Sequence, residues 1–276
     1  MNATDQKVAA RLAGKTALIT GASSGLGRQL ALDLGPFKMN LVLASRSEPA
    51  LRQVATGVEA LGSAALVQAT DITEADQCRE LVAKTIAEFP SLDYLILCAG
   101  VSMWSRFEAV TDPGIFKRLI DVNYLGTVHC VYYSLPYLKR NRGTIVAISS
   151  VQGVLGIPNH SGYAAAKHAL AGFLEVLEQE LGGAVHILNV MPGWVRGTNL
   201  RANAFSEDGS PLGQGSDKPK KASVGIEECS SRIVKAMAEN DKTLYIPSKL
   251  RLLPWLKLIA PGWLRSSIKR AVQRQE

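Results

Sequence analysis

The sequence predicts a doubly wound α/β fold, a parallel sheet with helices on both faces, and three observations lead there. Short apolar runs alternate with longer helical patterns along most of the chain. The first run leads into a glycine-rich turn and then a helix, the order in which open α/β sheets hold a phosphate-bearing ligand. A later run is followed by a helix that opens with Tyr163 and Lys167, whose spacing of four puts both on one face. The 276 residues suit a single domain over 1–276 with a sizeable core.

Thr16–Thr20 reads as the first buried strand, and Arg28–Leu34 as the helix behind the turn Gly21-Ala22-Ser23-Ser24-Gly25-Leu26-Gly27. The glycines let the backbone turn tightly and approach a pyrophosphate, while the helix N-terminus offers N–H donors. Asn40–Ala44 is the second strand, ending in Ser45-Arg46-Ser47, and a helix follows over Pro49–Leu61. Ala64–Gln68 is the third strand; Asp71-Ile72 follows it, and a helix runs on to Glu88. Leu92–Leu97 ends in Cys98-Ala99-Gly100, and one long helical pattern covers Pro113–Arg140 with Asn123 inside it. Thr144–Ile148 is the fifth strand, and the helix over Tyr163–Leu181 stops at Gly182-Gly183. Val185–Val190, a helix over Glu227–Glu239 and a last strand over Thr243–Ile246 complete the pattern.

Ser150, Tyr163 and Lys167 are the candidate chemical groups. An unperturbed phenol titrates near ~10, and a neighbouring ammonium favours the phenolate, so Lys167 is expected to tune Tyr163 as an acid or base. Ser150 ends its strand where such sheets place ligand chemistry, and its hydroxyl can bond a substrate oxygen.

These motifs together, with the glycine spacing G-x-x-x-G-x-G, resemble the short-chain dehydrogenase/reductase family over roughly residues 15–193. The resemblance implies a Rossmann-type, seven-stranded sheet in the order 3-2-1-4-5-6-7, and hydride transfer between a nicotinamide cofactor and a carbonyl or secondary alcohol. It makes Ser150, Tyr163, Lys167 and Asn123 catalytic, with Asn123 supporting a water-linked proton relay. Cofactor contacts are expected from Gly21, Ser23, Ser24, Gly25, Leu26, Gly27, Ser45, Arg46, Asp71, Ile72, Ala99, Gly100, Tyr163, Lys167, Pro192, Gly193 and Thr198. Where an acid would bind a ribose 2′-hydroxyl, this chain has Ser45 and Arg46, whose guanidinium suits a 2′-phosphate, so NADP(H) is favoured over NAD. Leu97 and Cys98 depart from the family's Asn-Asn, and the Thr expected five residues after Pro192 is Gly197, with Thr198 one further on. Asn199–Val224, rich in Gly, Ser, Pro and charge, is expected to be a lid over the substrate. Homodimers or homotetramers through the Pro113–Arg140 and Tyr163–Leu181 helices are implied as well.

Composition limits the alternatives. Four cysteines lie far apart with no C-x-x-C pair, so they read as reduced core thiols and no metal site is expected. Residues 1–15 are polar and mixed without a signal-peptide segment, no apolar run is long enough to span a bilayer, and a cytoplasmic location is the expectation. The formal charge of +7 sits in the tail: from Lys249 onward there are seven Lys or Arg against the single acid Glu276. No aromatic-interleaved basic stripe accompanies it, so nucleic acid is not an expected partner. The tail from about residue 248 to 276 alternates those cations with Leu, Ile and Trp, and is expected to close the pocket or pack on a partner subunit, with peripheral membrane contact as the alternative. Trp104, Trp194 and Phe205 on pocket segments suggest a lipid-, steroid- or aromatic-like substrate. Two rival functions share parts of this pattern: an epimerase or dehydratase, and a non-catalytic NADP-sensing or membrane-docking module. The first usually has G-x-x-G-x-x-G and a larger C-terminal domain, and the second leaves Ser150, Tyr163 and Lys167 unexplained.

Overall fold

The apolar runs become seven strands: β1 (Thr16–Thr20), β2 (Asn40–Ser45), β3 (Ala64–Ala69), β4 (Tyr94–Leu97), β5 (Thr144–Ile148), β6 (His186–Pro192) and β7 (Thr243–Ile246). In the computed structural model, which describes residues 3–213 and 223–273, they form one sheet in the order 3-2-1-4-5-6-7. Every pairing is parallel. A parallel sheet is covered on both faces, which is why β1 is buried at all five positions and its sequence is apolar without alternation.

Helices α1 (Ala3–Leu12), α2 (Gly25–Leu34), α3 (Glu48–Ala60) and α8 (Ile226–Glu239) cover one face, with Leu12, Leu30, Leu34, Val58 and Ile233 in its core. Helices α4 (Ala75–Glu88), α6 (Gly126–Asn141) and α7 (Ser161–Leu181) cover the other around Leu81, Val131, Leu138, Leu170 and Leu174. Cys78, Cys130 and Cys229 are buried free thiols, while Cys98 is half-buried.

Three elements differ from the sequence expectation. Helix α2 begins at Gly25 instead of Arg28, because Ser24 is extended and serves as N-cap, so the last two loop glycines form the first helical turn. The single helix expected over Pro113–Arg140 is instead α5 (Gly114–Ile120), a π-helical turn over Asp121–Leu125, and α6. Apolar periodicity continues through that turn, so the extra residue leaves no mark in the pattern. Helix α1 was not expected; Val8 and Leu12, four apart, bury against the α8 face while the rest of the segment stays polar.

The sequence beyond β7 forms a 3-10 turn at Ser248–Leu252, then α9 (Leu253–Ile259) and α10 (Pro261–Gln273). Within the expected lid, residues 214–222, with Lys218 to Lys221, lie outside the described residues.

Candidate active site

Parallel strands all end on one side, so the loops after β1, β2, β4, β5 and β6 converge there on a single cleft of about 970 Å³. The glycine turn lines it, and its shape depends on missing side chains: a Cβ at Gly21 would sit 2.8 Å from the Ala99 Cα, and one at Gly27 would overlap the Gly21 carbonyl oxygen. No side chain caps α2, so its first-turn N–H groups are left for a ligand. A cradle that backbone fills this closely, at an uncapped helix start, fits the pyrophosphate of a dinucleotide.

The other expected cofactor residues gather around it. Ser23, Ser24, Gly25, Leu26, Ser45, Arg46, Asp71, Ile72, Ala99, Gly100, Pro192, Gly193 and Thr198 all line the cleft. Arg46 is exposed and makes no ion pair among the described residues, leaving its fork open. Asp71 turns one carboxylate oxygen on the Thr73 N–H and hydroxyl at 3.0 and 2.8 Å, bracing the approach to α4. Thr198 lies beside Gly25, 3.7 Å from where its Cβ would be, after a left-handed turn at Gly197 (φ 82°). The turn therefore carries Thr198, one residue late, to the cofactor end of the cleft.

Leu97 and Cys98 stand at the end of β4 where two Asn were expected, and the loop that follows is braced by Thr20. Its hydroxyl accepts the N–H groups of Cys98 and Ala99 at 3.1 and 3.2 Å, locking the β4 end to the β1 end. Asn123, in the π-turn, holds the next step: its Nδ2 donates to the Leu119 and Val101 carbonyls, both at 2.9 Å, and its Oδ1 accepts the Val101 N–H at 3.3 Å. Both amide hydrogens are thus engaged with backbone, and one lone pair of Oδ1 is left for a further partner.

Ser150, Tyr163 and Lys167 meet at the floor of the cleft. Ser150 caps the 3-10 turn Val151–Gly153, its Oγ accepting the Gln152 N–H at 3.1 Å, and its hydroxyl bonds the Tyr163 phenol. Lys167 donates to the Ile148 carbonyl at 3.0 Å, and its Nζ stands 5.7 Å from the centre of the Tyr163 ring. The electrostatics depart from the sequence expectation. Burial pushes Tyr163 up to about 12, against a smaller lowering by the Ser150 bond, and Lys167 is not among the causes. Burial also lowers Lys167 to about 8, opposed by Cys98. Desolvation governs both groups, and the cation is turned to the Ile148 carbonyl. Tyr163 is therefore a neutral, proton-bearing phenol at neutral pH.

These shifts carry a stability signature. Lys167 titrates at about 8 when folded and near its ordinary 10.5 when unfolded, so between those values the unfolded chain binds the extra proton and stability rises with pH. Wild type is expected to gain stability relative to Lys167→Met across that window, and to lose the gain as pH falls through about 8. Urea denaturation of both proteins at about pH 8 and about pH 10 measures it; a constant difference would refute the depressed value. Tyr163 acts with opposite sign above its ordinary 10.0, so the comparison stops there.

Two cleft residues escaped the sequence reading. His160 is buried and packs edge-on to Trp104 (4.9 Å) and Trp194 (5.8 Å), with its ring 6.2 Å from Tyr163. Arg201, from the segment after Thr198, stacks its guanidinium 3.8 Å over Trp104. Nothing local marks either one, since both contacts are made by distant parts of the chain. Trp104, Trp194 and Phe205 do line the cleft as expected, and Phe205 ties its own segment to the stretch after β4 by exchanging backbone bonds of 2.9 Å with Ser102 and Trp104.

Comparison with known proteins agrees with this geometry. A family model described as short chain dehydrogenase matches residues 15–209. An 11-beta-hydroxysteroid dehydrogenase of Pinus massoniana is 34% identical over 258 residues, covering 91% of this chain and 72% of the relative. The 11-beta-hydroxysteroid dehydrogenase 1A of Arabidopsis thaliana is 35% identical over 257 residues, covering 91% and 73%. Among solved structures, an alcohol dehydrogenase from the archaeon Thermococcus sibiricus complexed with 5-hydroxy-NADP aligns with a TM-score of 0.72 at 25% identity, over 84% of this chain and 95% of that one. A short chain dehydrogenase/reductase from Burkholderia phymatum in complex with NAD gives 0.75 at 25% identity, over 88% and 93%. With a Rossmann-type sheet, a glycine cradle and a Ser-Tyr-Lys floor in one cleft, the chain is an oxidoreductase and belongs to the short-chain dehydrogenase family.

Proposed function

We propose that the chain, acting as one domain, is an NADP(H)-dependent oxidoreductase that interconverts a carbonyl and a secondary alcohol on a fairly large apolar molecule of steroid, lipid or aromatic type. The observation that carries this reading is the meeting of Ser150, Tyr163 and Lys167 with the glycine cradle in one cleft. When bound, the cofactor supplies the hydride from its nicotinamide. Ser150 and Tyr163 are already bonded to each other, so a carbonyl oxygen entering between them takes a hydrogen bond from each hydroxyl. Ser150 orients it, and Tyr163, neutral in this site, gives the proton. Lys167, on the same floor, would hold the cofactor ribose. Asn123 keeps the Val101 backbone in place, and its remaining lone pair holds the water through which Tyr163 is reprotonated.

Tryptophans 104 and 194 and Phe205 favour a broad apolar substrate, as do the names of the hydroxysteroid relatives. Arg46, with no acid at the end of β2, favours NADP(H). Tyr132 on α6 and Val176 on α7, 71% and 54% exposed, support a homo-oligomer joined through those helices. Free thiols at all four cysteines suit a reducing cytoplasm.

The test is NADPH oxidation followed against a panel of ketones and aldehydes, with apolar polycyclic ketones expected to turn over best; no turnover across the panel would refute the reading. Arg46→Ala is expected to weaken NADPH binding about tenfold or more, the worth of a charge-assisted bond at ~1.5–3 kcal/mol, and to leave NADH binding unchanged. Equal affinity of wild type for NADH and NADPH would refute the phosphate contact.

A further inference from the structure

The tail does not close the cleft, and its own chain leaves most of its large apolar side chains uncovered. Leu252, Trp255, Leu258, Ile259 and Trp263 are 53, 64, 75, 76 and 60% exposed, so they neither close the cleft nor enter the core. What anchors the tail is a separate set of contacts. Leu250 packs against Gly193, Lys257 donates to the Val154 carbonyl at 2.6 Å, and Leu264 and Val272 are the buried positions of α10. These hold α9 and α10 beside the loop that joins Ser150 to Tyr163. Between α10 and Gly156–Asn159 runs a groove of about 410 Å³ whose wall includes Arg106, Arg265 and Lys269.

Large apolar side chains left in water need a cover, and charge decides which. From Lys249 to Arg270 there are six Lys or Arg and no acid. A symmetric contact between two copies sets a patch against itself, which would bring those six cations against six more. A head-to-tail contact would need an acidic surface, whereas the rest of the chain is itself slightly basic. Indoles and aliphatics interleaved with cations match instead an anionic lipid surface, where apolar groups enter the acyl boundary and Lys or Arg meet headgroup phosphates. No helix among the described residues is long and apolar enough to cross a membrane, so such contact would be in the interfacial plane.

We propose that the Ser248–Leu252 turn, α9 and α10 form a docking face for an anionic lipid bilayer, with headgroup phosphates taken at the groove lined by Arg265 and Lys269. The docking does not depend on which substrate the cleft accepts.

The experiment is co-sedimentation of the full chain with vesicles of phosphatidylcholine alone or mixed with phosphatidylglycerol. Binding is expected to the mixed vesicles, to fall as salt rises, and to weaken about tenfold or more in Arg265→Glu/Lys269→Glu. Trp255→Ser/Trp263→Ser is expected to lose binding while its melting temperature stays at the wild-type value. Equal binding to neutral and mixed vesicles, or indifference to salt, overturns the proposal. So does a lipid-free dimer, seen by light scattering, that either double substitution splits, since that identifies a second copy as the cover. Because salt dependence is read on the wild-type protein, the test stands even where a variant fails to fold.

Discussion

Tyr163→Phe is expected to lower kcat by about 10²–10⁴-fold and leave NADPH affinity nearly unchanged. The phenol is the hydroxyl on the cleft floor that faces Ser150 and carries its proton at neutral pH, and burial, by raising it to about 12, only strengthens its hold on that proton. Removing one oxygen atom keeps the ring, its packing on His160 and the Lys167 contact to Ile148. Steady-state turnover with the best ketone of the panel, beside a fluorescence titration with NADPH, separates chemistry from binding. Turnover within about tenfold of wild type would remove Tyr163 from the proton path. Reduction therefore begins with the donor already loaded, whereas oxidation of an alcohol must first take away a proton that burial makes harder to remove.

Gly27→Ala is expected to act on the other half of the cleft, raising the NADPH Kd roughly tenfold or more. The new methyl group would occupy the space of the Gly21 carbonyl oxygen, and backbone cannot swing aside as a side chain does. Overpacking of this sort costs ~1–3 kcal/mol, here in the loop whose uncapped N–H groups would take the pyrophosphate. Calorimetric titration with NADPH and a melting curve check it together. A variant with wild-type Kd and melting temperature would show that the cradle yields freely and that its close packing is incidental.

The sheet was legible because most strands are apolar runs closed by Gly, Ser or Cys-Ala-Gly, and because a buried parallel strand needs no alternation to be recognised. Spacing alone placed Tyr163 and Lys167 on one helix face. What spacing could not reach was which force sets their protonation, since Lys167 turns to Ile148 and desolvation governs both groups. The π-turn at Asp121–Leu125 was hidden by an unbroken apolar rhythm, and Asn123 was legible as an oddity without its bonds to Val101 and Leu119. Thr20 read as an ordinary strand residue, and only the arrival of Cys98 and Ala99 across the sheet gives its hydroxyl a task. The tail's apolar content was plain, but not which residues would be buried: Leu264 and Val272 are, while Trp255 and Trp263 are not.

The four tryptophans divide evenly between two places: Trp104 and Trp194 stand in the cleft 6.3 Å apart, and Trp255 and Trp263 stand on the exposed tail. The chain therefore carries its own optical reporters, one pair for each surface. Emission from the cleft pair is set by His160 and Arg201 at close range, whereas the tail pair emits from water and would shift to the blue on leaving it. Replacing either pair with Phe leaves a protein whose intrinsic fluorescence reads the other surface alone, without an attached dye.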